Sequence, residues 1–167
     1  MNINKTINLV LKDVYSYDIS SCHYNILKQL GFDVSDIDKD NKEKRNITIG
    51  KMMKENPRIT FVLRETTNNI IMEYLNINNI KDEEIVTIQY DGFISIKPLK
   101  ELNLYIPLEL RTIYNKLIIS SDRNKFIALD HKDKLDVKGV AHRYDEMDNI
   151  YKKILDINFI SKKMIFE

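Results

Sequence analysis

Residues 84–97 constrain the fold more than any other part of the chain. They read EIVTIQYDGFISIK, and the two halves of the stretch alternate β-branched or aromatic residues with polar ones. Such alternation predicts two strands, and Asp91-Gly92 between them is typical of a hairpin, because tight turns use the positive φ angles that glycine tolerates. The sequence therefore predicts an antiparallel hairpin with Asp91 at its bend.

Asp18 is the second carboxylate on which a functional hypothesis depends. Residues 7–19 alternate well enough to form a strand, and the apolar spacing then becomes helical, with Ser20 or Ser21 as a cap and Gly31 as the stop. Asp18 is therefore expected at the end of a strand. Two Asp residues at the ends of neighbouring strands form a minimal site for Mg²⁺, which binds one or two carboxylates together with substrate phosphates.

A turn residue with no further role is the competing interpretation of Asp91, because Asp-Gly is frequent in hairpins for its geometry alone. Asp18 is harder to explain in this way. It follows Tyr15 and Tyr17 in a predicted central strand, and an acidic residue there needs a partner to be tolerated.

Composition limits the class of protein. A chain of 167 residues with 43% hydrophobic content suits one domain, here residues 1–167, with a core of its own. We expect a soluble, intracellular protein with no membrane partner, because no apolar run is long enough to span a bilayer and the polar start lacks a signal-peptide pattern. A single cysteine excludes an intramolecular disulfide, and three scattered histidines give no zinc-ligand spacing.

The rest of the chain mixes helical and strand patterns. Helices are predicted over 42–56 (interrupted at Gly50), over 60–78 with Phe61 on its buried face, and over 144–156. Strands are predicted over 116–120, and over 125–130 and 134–140 as a second hairpin. Hairpins mixed with helices imply an α+β fold, with helices packed on one face of an antiparallel sheet.

The order of these segments resembles the palm domain of right-handed DNA polymerases. Residues 18–27, DISSCHYNIL, resemble the first catalytic motif in both its family A and its family B versions. Residues 45–50, RNITIG, are similar to the fingers-helix motif, with Ile49 in place of the usual aromatic residue. Residues 89–92, QYDG, resemble the third motif, and residues 124–129 and 134–140 look like the family B hairpin whose lysines contact the primer–template backbone.

The resemblance implies a miniature palm over residues 7–143, a minimal fingers insertion at about 32–58 and a C-terminal helical segment at 144–167. It implies two-metal phosphoryl transfer with Mg²⁺ or Mn²⁺, on a primer–template and with nucleoside triphosphates. The residues that match the family's motifs are Asp18 and Asp91 for metal binding and catalysis, Lys44, Arg45, Lys51, His23 and Tyr24 for the nucleotide, and Tyr90, Lys125 and Lys138 for nucleic acid.

The departures from the polymerase pattern keep an alternative open. Family B usually has a second Asp near the hairpin Asp, and family A usually has Glu directly after it, whereas Gly92 and Phe93 follow Asp91 here. The first hypothesis is a nucleotidyltransferase, complete or one subunit of a split polymerase, of viral origin and acting in the host cytoplasm. The second is a palm-derived module without catalysis that binds nucleic acid or replication proteins. A third is an interaction protein with a palm-like shape acquired by chance.

Overall fold

The computed structural model describes residues 9–139 and 146–166, with the side chains of residue 146 and residues 160–166 left out. The strands are β1 (Leu9–Ile19), β2 (Ile85–Gln89), β3 (Gly92–Ser95), β4 (Leu108–Ile119), β5 (Phe126–Asp130) and β6 (Leu135–Lys138). The helices are α1 (Cys22–Gln29), α2 (Lys42–Glu55), α3 (Pro57–Ile77) and α4 (Glu146–Phe166).

The six strands form one antiparallel sheet in the order β2-β3-β1-β4-β5-β6. Strand β1 is central, since it pairs with β3 on one side and with β4 on the other. The mixed α+β class is thereby confirmed. The sequence order places α1, α2 and α3 between β1 and the β2–β3 hairpin, so the end of β1 and the hairpin turn lie side by side although helices separate them along the chain.

Local capping explains where α2 and α3, the two longer helices between β1 and β2, begin. The Asn41 side chain accepts a hydrogen bond from the backbone N–H of Lys44 at the start of α2. The Asn56 side chain does the same for the N–H of Arg58, and Pro57 occupies the first turn of α3, where its missing N–H costs nothing. Helix α2 is continuous through Gly50, so the predicted interruption there is wrong.

Two apolar clusters form the core. The first joins α1, α2 and α3 to the sheet and includes Tyr17, Phe93, Leu27, Leu63 and Tyr74. The second lies on the other face of the sheet and includes Val14, Ile94, Tyr114, Leu117 and Ala128. Helix α4 packs on β1, β4 and β5, with Tyr151 and Leu155 buried.

The sheet is rolled rather than flat. The Thr87 hydroxyl on β2 donates to the backbone oxygen of Arg123 in the β4–β5 turn at 3.1 Å. In the strand order β2 and β4 are three spacings apart, which is roughly 14 Å in a flat sheet. Curling therefore brings β2 to the β4–β5 turn and places the second apolar cluster inside the roll.

Several predicted boundaries are wrong. Phe61, predicted on the buried face of α3, is 65% exposed, and α3 begins at Pro57 rather than at residue 60. The strand predicted at 116–120 begins at Leu108. The final helix extends to Phe166. Parts of predicted elements at residues 7–8, 140 and 144–145 lie outside the described residues.

Candidate functional site

Asp18 and Asp91 meet where the end of β1 reaches the turn of the β2–β3 hairpin. Asp18 pairs with Gly92 across the β1–β3 ladder, and the backbone N–H of Ile19 donates to the backbone oxygen of Asp91 at 2.8 Å. Both carboxylates line a cleft of about 570 Å³. The structure thus brings together the two residues that the sequence nominated for metal binding.

Gly92 is required here for a reason other than the expected one. Gln89 pairs with Gly92, so the turn residues are Tyr90 and Asp91, and Gly92 itself does not have a positive φ. The expectation of a glycine chosen for its backbone conformation is therefore wrong. A Cβ at Gly92 would overlap the backbone oxygen of Tyr17 and the carboxylate of Asp18, so only glycine lets the hairpin approach β1 this closely.

The surroundings of Asp18 oppose its negative charge. Burial is the main cause that raises the pKa of Asp18; the Arg111 guanidinium acts to lower it, while the carboxylates of Asp91 and Glu109 raise it further. Glu109 pairs directly with Asp18 across the β1–β4 ladder, and like charges opposite one another destabilise a sheet. A cation bound between these carboxylates would relieve that repulsion.

The Asp91 carboxylate is not used by its own turn. Among the described residues it accepts no hydrogen bond, although a turn Asp commonly accepts bonds from the backbone N–H groups that follow it. This observation counts against the interpretation of Asp91 as a turn residue only. Its oxygens are available to the cleft.

His23 and Tyr90 contact each other beside the carboxylates. The imidazole Nε2 and the phenol oxygen are 3.0 Å apart, and the two rings pack edge to face with centroids separated by 5.3 Å. Burial lowers the pKa of His23, and the Asp91 carboxylate opposes that shift. Near neutral pH the pair therefore presents an uncharged aromatic edge to the cleft.

Helix α2 supplies a further part of the cleft wall. Lys42, Arg45, Asn46 and Ile49 line the cleft because spacings of three, four and seven residues share one helix face. The Arg45 guanidinium donates to the backbone oxygen of Lys39 at 2.9 Å, which restrains it. The cleft is thus lined by both carboxylates and cations.

The start of α1 also faces the cleft. Ser21 precedes the helix with a left-handed backbone (φ 41°) and makes no capping hydrogen bond from its side chain, so the predicted serine cap is wrong. Ser21, Cys22 and His23 line the cleft. Uncapped N–H groups at a helix start attract phosphate oxygens.

The other predicted contact residues are distributed as follows. Tyr24 lines the cleft but is 8% exposed and belongs to the first apolar cluster. Lys44 and Lys51 lie on α2 outside the cleft lining. Lys138, on β6, is close enough to act on the charge of Asp18. Lys125 is in the β4–β5 turn and is exposed.

Glu109 and Arg111 were missed by sequence reasoning. Both belong to the first half of β4, which was not predicted as a strand. The alternation of Leu108, Leu110 and Thr112 with charged residues was the available signal, and the bulge at Arg111 disrupts it.

The donor set suits a divalent cation only in part. Within the part of the chain that the structure describes, no group of three or more His, Cys, Asp or Glu side chains converges as a metal site. Asp18 and Asp91 supply hard oxygen ligands, and Mg²⁺ commonly takes two carboxylates and completes its shell with water and phosphate oxygens. The two residues fit such an ion if a substrate supplies the remaining ligands.

Comparison with known proteins gives the chain a family. No curated protein matches it. In the described residues no helix has the length and apolar character needed to cross a bilayer. The sequence profile of the Bacteriophage PBS1 gene 130 protein matches residues 2–166, which is nearly the whole chain. The chain therefore belongs to the Bacteriophage PBS1 gene 130 protein family.

Proposed function

We propose that this phage protein is a metal-dependent nucleotidyltransferase of the polymerase-palm type, acting on a primer–template alone or as one subunit of a split DNA polymerase. One observation carries the proposal. Asp18 at the end of β1 and Asp91 in the hairpin turn lie side by side in a cleft that α2 closes with Lys42 and Arg45.

The arrangement of elements supports the same conclusion. The sequence resembles a palm in three features, which are a central strand that ends in an Asp, an adjacent hairpin with an Asp at its turn, and helices on one face of the sheet. Helix α2 lies within residues 32–58, the range in which the resemblance predicts the fingers insertion.

Each wall of the cleft has a role in this reaction. Asp18 and Asp91 would hold Mg²⁺ or Mn²⁺, which lowers the cost of forming the 3′-alkoxide and of charge on the transferring phosphate. Arg45, Lys42 and the uncapped N–H groups of α1 bind the triphosphate. The primer 3′-hydroxyl loses its proton to solvent and its oxygen forms a bond to the α-phosphorus, while the bond from that phosphorus to the β-phosphate oxygen breaks. Pyrophosphate then leaves with the negative charge that these donors stabilise.

The residues beside the carboxylates position the substrate. The edge of the His23–Tyr90 pair lies next to Asp91, where a sugar or base contacts an uncharged surface. Lys138 and Lys125 contact the phosphate backbone without reading sequence. Other polymerase subunits or replication proteins complete the grip on the duplex.

A module that binds nucleic acid without catalysis is the second candidate, because one observation favours it. Phe93, close behind Asp91, is 1% exposed and packs against Tyr17, with ring centroids 5.5 Å apart. The region that carries a second acid in the family B motif is therefore core here. This candidate predicts salt-dependent DNA binding that is indifferent to Asp91→Asn.

Primer extension tests the proposal. A labelled primer–template is incubated with the native chain, Asp18→Asn, Asp91→Asn and the control Asp36→Asn, with four deoxynucleotides and Mg²⁺ or Mn²⁺. Asp36 is an exposed loop residue outside the cleft, so its variant controls for the loss of one negative charge. We expect extension by the native chain and the control, and loss of at least about a hundredfold in the other two variants.

No extension by the native chain, with unchanged DNA binding by folded Asp91→Asn, would instead establish the module without catalysis. Extension that survives in both Asp variants would refute the two-carboxylate site.

A further inference from the structure

Arg111 occupies a bulge in β4 directly beside the carboxylates. Ser16 of β1 pairs with Thr112, and the next residue, Tyr17, pairs with Leu110, so Arg111 is the extra residue with no partner on β1. Bulges bend a strand and redirect a side chain, and they are frequent next to functional sites. Here the bulge puts a cation where β4 passes the end of β1.

The charges around Arg111 show what that cation does. Its Nε lies 3.8 Å from Oδ2 of Asp18. Asp91 and Glu109 line the same cleft as Asp18, so three carboxylates face this region. Among the described residues, Lys138 on β6 also acts on Asp18, and its effect is smaller than that of Arg111.

The Arg111 side chain is also free to leave. It is 56% exposed, and its contact with Asp18 is a long ion pair rather than a paired set of short hydrogen bonds. Exposed pairs of this kind are weak, so displacing one costs little.

We propose that Arg111 is the counter-ion of the carboxylate site. Its guanidinium stands in for a divalent cation in the metal-free protein, and it thereby raises the metal concentration at which the site becomes occupied. The proposal rests on the metal site of the proposed function, but on no catalytic step. The guanidinium and a divalent ion compete for Asp18, because a cation bound beside Arg111 must overcome its repulsion.

Mn²⁺ binding by the full chain tests this role. Free Mn²⁺ is followed by electron paramagnetic resonance in titrations of the native chain, Arg111→Gln, Arg111→Lys and the control Arg58→Gln. Arg58 is exposed at the start of α3 and outside the cleft lining, so its variant makes the same change in net charge. We expect Arg111→Gln to bind Mn²⁺ about three- to tenfold more tightly than the native chain, with little change in the other two.

The double variant Asp18→Asn/Arg111→Gln separates competition for Asp18 from a general effect of charge. We expect it to lose the tighter binding, and retention of that binding would overturn the proposal. Three other results would also overturn it. They are Mn²⁺ binding by Arg111→Gln that is equal to or weaker than that of the native chain, a gain in affinity of the same size in Arg58→Gln, and no Mn²⁺ binding by either the native chain or Arg111→Gln. Tighter binding without primer extension would sustain this inference and refute only the catalytic proposal.

Discussion

Two of the hairpins in the sheet, β2–β3 and β5–β6, each carry an Asp at or beside the turn, and they use it differently. In the β5–β6 hairpin, Oδ1 of Asp130 accepts hydrogen bonds from the backbone N–H groups of Lys132 at 2.8 Å and Lys134 at 2.9 Å. In the β2–β3 hairpin, the Asp91 carboxylate accepts no hydrogen bond from any described residue, although the Asp91 backbone oxygen accepts one from Ile19. One carboxylate therefore stabilises its turn, and the other is left for the cleft.

Electrostatics separates the two regions in the same way. Desolvation acts to raise the pKa of Asp130, but the N–H groups of Lys134 and Lys132 and the nearby charges of His131 and Lys134 outweigh it and lower that pKa. Burial raises the pKa of Asp18 beside the other hairpin, with Arg111 opposing and Asp91 reinforcing the shift. The end of β1 and the β2–β3 hairpin together have accumulated negative charge that the fold alone does not compensate, which is typical of functional sites.

The glycines of the two hairpins differ as well. Gly139, which follows β6, has φ +70° and is needed for a left-handed backbone. Gly92 has no such backbone and is needed for space against Tyr17 and Asp18. Gly139 also lacks room for a Cβ, which would lie 2.9 Å from the backbone oxygen of Asn124, but the close neighbour of Gly92 is the central strand β1.

Gly92→Ala should have the largest effect on stability. The new Cβ would meet the backbone of β1, which cannot move as a flexible side chain can, and we expect a loss of about 2–4 kcal/mol in the free energy of unfolding. Urea denaturation measures it. The control is Gly50→Ala in α2, where nothing lies within 4 Å, and a gain of about 0.5–1 kcal/mol is expected. A stable Gly92→Ala would contradict the close approach of the hairpin.

Asp130→Ala and Asp91→Ala form the direct test of the comparison. Removing the Asp130 carboxylate leaves two turn N–H groups without their acceptor, and we expect a loss of about 1–2 kcal/mol. Asp91→Ala should change stability by less than about 0.5 kcal/mol, since it removes no turn hydrogen bond and relieves repulsion of Asp18. Equal losses in the two variants, measured by urea denaturation, would mean that both residues serve their turns.

The smallest effect is a dependence of stability on pH at Asp18. Its pKa in the folded protein is raised above the ordinary value of 3.8, so the folded state binds the proton more tightly than the unfolded state. Native stability is therefore lost as the pH rises through the raised pKa. Asp18→Asn should be more stable than the native chain at neutral pH, by about 0.5 kcal/mol because the Asp18 side chain is 36% exposed and solvent screens it.

Thermal unfolding of the native chain and of Asp18→Asn, without divalent cations and from neutral to acidic pH, measures the difference in stability between them. The difference should vanish as the pH falls below 3.8. Asp36→Asn, in an exposed loop, should show no such trend. A difference between Asp18→Asn and the native chain that grows on acidification would have the wrong sign and refute the assigned environment.

Local patterns were sufficient for much of the fold. Both hairpins were predicted from alternation and turn residues, and α2 from the helical pattern over 42–56, because these signals act within a few residues. Asp18 at a strand end and Asp91 at a turn followed from the same patterns. The start of β4 was missed, since the bulge at Arg111 disrupts alternation and is defined only by pairing with β1.

The amino-acid sequence by itself determined the α+β class, the two hairpins and the nomination of Asp18 and Asp91. Tertiary structure alone decided that these carboxylates meet, that Glu109 and Arg111 join them, that Phe61 faces outward, and that Gly92 is needed for space. The physical reason is the distance along the chain over which each kind of interaction acts. Propensity, capping and turn chemistry act between near neighbours, whereas a site assembled from β1, β4 and a hairpin depends on strand register, which only the folded sheet establishes.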